Sequence, residues 1–181
     1  MTHGGIAEDG NAWLHAVLQR HEQPLIGHAV RLLGDGDAAR DVVQDTFLAL
    51  CRQPIALDDP RLGPWLHRVC RNRAIDRLRK ERRMHRLEEP DAAPTGPTSS
   101  PALALERRET SSRLAELLEE LPARQKEVVW LRFRSGLSYR EIAEVTRTSS
   151  GNVGFLLHAA LKRLRARLGE ANPASATGEL S

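Results

Sequence analysis

Arg68, Arg71, Asn72, Ile75 and Arg79 recur at i, i+3, i+4, i+7 and i+11, the spacing that lays side chains along one face of a helix. Three guanidinium forks and a carboxamide in a row make a surface for a polyanion. The forks match phosphates and base edges, and Asn72 can hydrogen-bond a base. Segment 61–86 around them carries ten Lys or Arg against two acids, a net of +8. The stretch before it, 35–59, has six Asp against Arg40 and Arg52, a net of −4. In that stretch Asp41, Gln44, Asp45 and Leu48 share the helix face opposite an apolar stripe, which makes an acidic surface with an apolar centre. Opposed blocks of this kind suit two different partners, the basic one a nucleic acid. Taken alone, the acidic face reads more readily as solvated helix surface than as a binding site. A metal site built from Asp35, Asp37, Asp41 and Asp45 has no histidine or open cleft beside it, so no metal is assigned.

A second constellation lies near the C-terminus. Ser138-Tyr139-Arg140-Glu141 is a capping box, in which hydroxyl and carboxylate reciprocally satisfy free backbone amides. It opens a very short helix, 139–145. A turn at 146–149 follows, then a long helix from Ser150 to about Leu168. Short helix, tight turn and long helix form a helix-turn-helix, which presents the start of its second helix to the major groove of DNA.

The elements that hold these residues are all helical. Among 181 residues only 4% are aromatic, and Leu, Ala, Arg and Glu dominate, which is helix composition and excludes an all-β sandwich. A first helical stretch spans Trp13 to Leu33, with Pro24 expected as a kink or restart and Gly34 as the stop. Asp35 or Asp37 caps a second helix whose inward stripe is Ala39, Val42, Val43, Thr46, Phe47 and Leu50. After a loop rich in Pro and Asp, Pro64 opens a third helix running to about Arg83, with Trp65, Leu66, Val69, Cys70, Ala74 and Leu78 inward. The second half offers Leu114, Leu117, Leu118, Leu121, Val128, Val129 and Phe133, then Val153, Leu157, Ala160, Leu161, Leu164 and Leu168. Between the halves, 88–101 holds four prolines, one glycine and no large apolar residue, too little to bury a core. The chain thus divides into a tail at 1–10, a helical domain at 11–87, a flexible linker at 88–105, a helix-turn-helix domain at 106–168 and a disordered tail at 169–181.

RLLGDGDAARDVVQDTFLAL and PWLHRVCRNRAIDRLRK resemble region 2 of the sigma-70 family of bacterial RNA polymerase sigma factors. LEELPARQKEVVWLRFRSGLSYREIAEV, followed by GNVGFLLHAALKRLRARL, resembles region 4, and the two-domain layout is that of the extracytoplasmic-function (ECF) type. The resemblance implies an all-α protein of two small helical domains. It gives Asp41, Gln44, Asp45 and Leu48 the docking role toward the β′ clamp helices of core polymerase. It gives Arg68, Arg71, Asn72 and Arg79 contact with the promoter −10 element, and the loop 51–63 a pocket for a flipped base. The helix from Ser150 would bind the −35 element, with readout left to Ser149, Ser150, Asn152 and His158 and with Arg140, Arg147, Lys162 and Arg163 available for phosphates. The chain departs from the family pattern there, with Asn152, Gly154, Phe155, Leu156 and Ala159 where basic or hydroxyl residues are common. Trp65 reads either as a stacking platform or as a core residue. An anti-sigma partner is a further implication of the family.

No apolar run approaches the roughly 20 residues that cross a bilayer, and residues 1–10 lack a signal pattern, so membrane insertion is not expected and the cytoplasm is. Cys51 and Cys70 read as small core residues. Seven histidines show no ligand spacing, and no phosphate loop or nucleophile–base signature is present, so neither a cofactor nor enzymatic activity is expected. A stand-alone helix-turn-helix regulator is the alternative, but it gives the acidic face no purpose.

Overall fold

The computed structural model describes residues 5–88 and 109–170, apart from Pro54 and Leu57; the expected linker and C-terminal tail lie almost wholly outside them. Seven α-helices and no strand occur among the described residues: α1 (Gly5–Leu33), α2 (Gly36–Leu50), α3 (Leu62–Glu88), α4 (Glu109–Glu119), α5 (Ala123–Phe133), α6 (Tyr139–Thr146) and α7 (Ser150–Glu170).

Helices α1 to α3 pack around Val17, Leu25, Val43, Phe47, Leu66 and Cys70, all buried. The α1–α2 corner follows from local chemistry. Gly34 adopts φ +75, a region costly for residues with a Cβ, and Asp35 accepts hydrogen bonds from the Asp37 and Ala38 amides at 2.8 and 3.0 Å. The stripe expected on α2 is buried in full, and Thr46, the polar member, donates its hydroxyl proton to the Val42 carbonyl at 2.7 Å. Helices α4 to α7 enclose a second core of Leu121, Val128, Leu131, Ile142, Val153 and Leu157.

Several expectations are corrected. Pro24 does not restart the helix: α1 runs on through it, with Val17 and Leu25 on either side entering one core whose packing sustains the helix. Helix α1 begins at Gly5, inside the expected tail. Cys70 is buried but Cys51, at the C-terminal cap of α2, is exposed. Leu114, Phe133 and Leu168 are exposed; Phe133 is the last residue of α5 and Leu168 lies two residues from the end of α7, where the stripe runs past its partners. The modules also touch directly, α1 against α5 and α3 against α6, which the reading of two loosely tethered bodies did not anticipate.

Candidate nucleic-acid interface

The helix-turn-helix is built as its capping chemistry dictates. Ser138 Oγ accepts from the Glu141 amide at 3.3 Å, and Glu141 Oε2 accepts from the Ser138 amide at 2.7 Å. Arg147 turns the chain with φ 55, and Ser149 Oγ accepts from the Asn152 amide at 3.2 Å at the start of α7. Arg140, Arg147, Ser149, Ser150, His158 and Lys162 are all exposed. Asn152 is half-buried, and its amide nitrogen donates to Thr148 Oγ1 at 2.8 Å, so the turn holds this side chain. Gly151, Phe155, His158 and Lys162 follow one another on the outer face of α7, with Phe155 69% exposed. Gly154 sits beneath Tyr139, whose ring would meet an added Cβ at 3.6 Å, an ordinary contact.

On α2, Asp41, Gln44, Asp45 and Leu48 form one exposed face, with Leu48 54% accessible. Arg77 and Arg73 of α3 reach Asp41 and Asp45 at 3.2 and 3.4 Å. Both carboxylates stay well exposed, so these bridges are weak and a partner can replace them.

The basic face of α3 divides. Arg68 and Arg79 are exposed, whereas Arg71 and Asn72 are half-buried. Arg71 faces the second module, its Nε donating to Glu127 Oε1 at 2.7 Å. The same oxygen is 3.2 Å from His28 Nε2, and His28 Nδ1 is 3.1 Å from His67 Nδ1. One tautomer set satisfies all three groups: Nε2–H of His28 donates to Glu127, and Nδ1–H of His67 donates to His28. Burial and the neighbouring His28 push the His67 pKa well below the ordinary histidine value. Burial raises the Glu127 pKa, but the hydrogen bonds from His28 and Arg71 and the positive charge of Arg71 outweigh it, and the carboxyl ends below its usual range. Beside this cluster a cleft of about 500 Å³ opens between the modules, lined by Asp59, Trp65, Arg68, Arg140 and Glu144 among others. Trp65 is half-buried, one side on the first core and the other on this cleft.

Sequence reasoning missed His28, His67, Glu127 and Trp130. Glu127 and Trp130 lie 99 and 106 residues from their partners His28 and Pro24, so no local spacing links them. The available signal was Glu127 itself, an acid set directly against the apolar Val128-Val129 pair. Among the described residues no group of His, Cys, Asp or Glu is arranged to hold a metal, and no helix is long and apolar enough to cross a membrane.

A basic helix in one module and a capped helix-turn-helix in the other define a bipartite, all-helical DNA-binding protein. Family models agree module by module: sigma-70 region 2 matches residues 17–84, and sigma-70, region 4, matches residues 111–164. The chain is 32% identical over 171 residues to the ECF RNA polymerase sigma factor SigL of Mycobacterium tuberculosis, covering 92% of this chain and 94% of that one. In fold it is similar to the sigma factor RpoE of Bartonella quintana, solved with the anti-sigma factor NepR, at a TM-score of 0.64, 25% identity, and coverage of 85% of this chain and 94% of that one. It also resembles CnrH, solved with the cytosolic domain of CnrY, at a TM-score of 0.55 and 27% identity over 87% of this chain and 88% of that one. The chain belongs to the sigma-70 family as an ECF-type RNA polymerase sigma factor, and it directs transcription initiation.

Proposed function

We propose that the exposed α2 face of Asp41, Gln44, Asp45 and Leu48 docks on the β′ clamp helices of core polymerase, with Leu48 as the apolar anchor inside a ring of acids. Arg68, Arg71, Asn72 and Arg79 engage the −10 element, where cationic forks and the Trp65 ring beside Arg68 suit a melted strand. The start of α7, with Ser149, Ser150, Asn152 and His158, reads the −35 element, while Arg140, Arg147 and Lys162 hold phosphates. The residues present at Gly154, Phe155 and Leu156 make this readout less cationic than is common in the family, with Phe155 free to meet a thymine methyl. Two modest DNA sites on one chain then combine into a selective one.

The observation that carries this reading is the coexistence, in one chain, of an acidic face centred on an exposed leucine and a separately capped helix-turn-helix. A stand-alone regulator would have no use for the first module. The protein itself performs no catalysis, acts in the cytoplasm, and meets an anti-sigma protein of the kind bound to its structural relative RpoE.

Run-off transcription with purified core polymerase on genomic promoter fragments tests the reading: start-site selectivity should appear only when this chain is added. Asp45→Arg should abolish capture of core polymerase with helicity unchanged, since it reverses a charge at the docking face and sets it beside Arg73. Wild-type capture by that variant would remove the α2 face from the mechanism.

A further inference from the structure

The face that α1 and α3 turn toward α5 is shaped for one tenant. Pro24, Gly27, His28 and Arg31 lie at i, i+3, i+4 and i+7 on α1 and share a side. The indole of Trp130 rests in the gap left by Gly27. A Cβ added there would meet Trp130 Cζ2 at 2.2 Å and Cη2 at 2.6 Å, distances that real atoms do not tolerate. Trp130 Nε1 donates to the Pro24 carbonyl at 3.1 Å, and the Arg31 guanidinium lies 3.7 Å over the ring. One turn back along α5, Glu127 accepts from both Arg71 and His28. Trp130 does not belong to the core of its own module, so its placement serves the contact between modules.

We propose that the α1/α3 face of the first module is a docking surface for α5 of the same chain, keyed by Trp130 in the Gly27 gap and by Glu127 on Arg71, and that this closure competes with DNA for Arg71. The inference rests on the reading of Arg71 as a DNA contact. Glu127 supplies Arg71 with the negative oxygens that a phosphate would otherwise supply, at a charge-assisted hydrogen-bond distance of 2.7 Å. A strand reaching Arg71 must displace it. Arg68 and Arg140, assigned to different promoter elements, also line the same cleft in the closed chain, so engaging both elements requires the modules to part. Because the latch is internal, the free sigma factor holds its DNA-binding state in reserve, and apparent DNA affinity falls in proportion to the open fraction.

Gly27→Leu tests closure with little risk to the first module, since leucine favours helix over glycine by about 1 kcal/mol and the three nearest obstacles all belong to Trp130. Trp130→Ala is the second variant, removing the key instead of blocking the gap. The full-length chain and both variants are compared by small-angle X-ray scattering, by circular dichroism and by titration with fluorescent oligo(dT) at fixed salt. With helicity unchanged, each variant should show a larger radius of gyration and bind oligo(dT) about tenfold more tightly. If at least one variant keeps its helicity yet scatters like the wild type, closure is overturned. If a variant expands but its oligo(dT) affinity does not rise, the competition is overturned. Neither result depends on polymerase, so failure here is separate from absence of start-site selectivity in the run-off assay, which would remove the sigma reading and leave the latch standing.

Discussion

Leu66 and Leu48 carry the same side chain, and their surroundings give them opposite work. Leu66, on α3, is fully buried in the first core, so Leu66→Ala should lose about 2–5 kcal/mol of stability through lost burial and a residual cavity. Leu48 stands on the open α2 face, so Leu48→Ala should leave unfolding within about 0.5 kcal/mol of wild type while weakening capture of core polymerase. Urea unfolding and a polymerase pull-down separate the two effects. Gly154 is a third case. Its added Cβ would meet only the Tyr139 ring at an ordinary distance, so Gly154→Ala should stabilise the second module by about 0.5–1 kcal/mol through helix propensity, read as a rise in its unfolding midpoint.

At the scale of elements, α6 is the most exposed to a single change, being eight residues long and started by one reciprocal cap. Ser138→Ala should cost about 1 kcal/mol and speed amide exchange in α6 ahead of α7. This cap was legible in the sequence because its chemistry is local: Ser138 and Glu141 are three residues apart, and the structure shows both bonds. The inward stripe of α2 and the Gly34-Asp35 corner were legible for the same reason. Continuity of α1 through Pro24 was not, since local propensity opposes it and only the shared packing of Val17 and Leu25 decides. The acidic and basic faces could be placed by helical spacing, but which arginines are already paired could not. Arg71 meets an acid 56 residues away in another module, and periodicity within α3 contains no trace of that.

For the whole molecule, the buried histidines couple stability to pH. His67, packed against His28 with His21 nearby and with Glu127 and Arg71 beyond, is held neutral because its pKa is lowered by burial first and by those histidines second. His21 is shifted the same way, by burial and then by Arg20. An unfolded chain regains the ordinary value near 6.5, so below about pH 6.5 it binds protons that the native state refuses. Stability should hold steady from about pH 8 to 7 and then fall on acidification, at no more than about 1.4 kcal/mol per pH unit for each such group. Glu127 works in a lower window: its pKa is depressed despite burial, so its contribution is present above the ordinary carboxylate range and lost as pH drops through the native value. Thermal melting from pH 8 to 5 checks the histidine decline, with His67→Gln expected to flatten part of it and His21 to retain the remainder.

The uneven fate of the two cysteines has a practical side. Cys70 is enclosed in the first core with its thiol pushed up to about 12 by burial, so under mild conditions it stays protonated and out of reach of a maleimide. Cys51 stands in solvent where α2 gives way to the loop toward α3. The native chain therefore accepts one dye at one known place, beside the face assigned to polymerase and without any engineered handle, so that docking can be followed in real time from the protein's own chemistry.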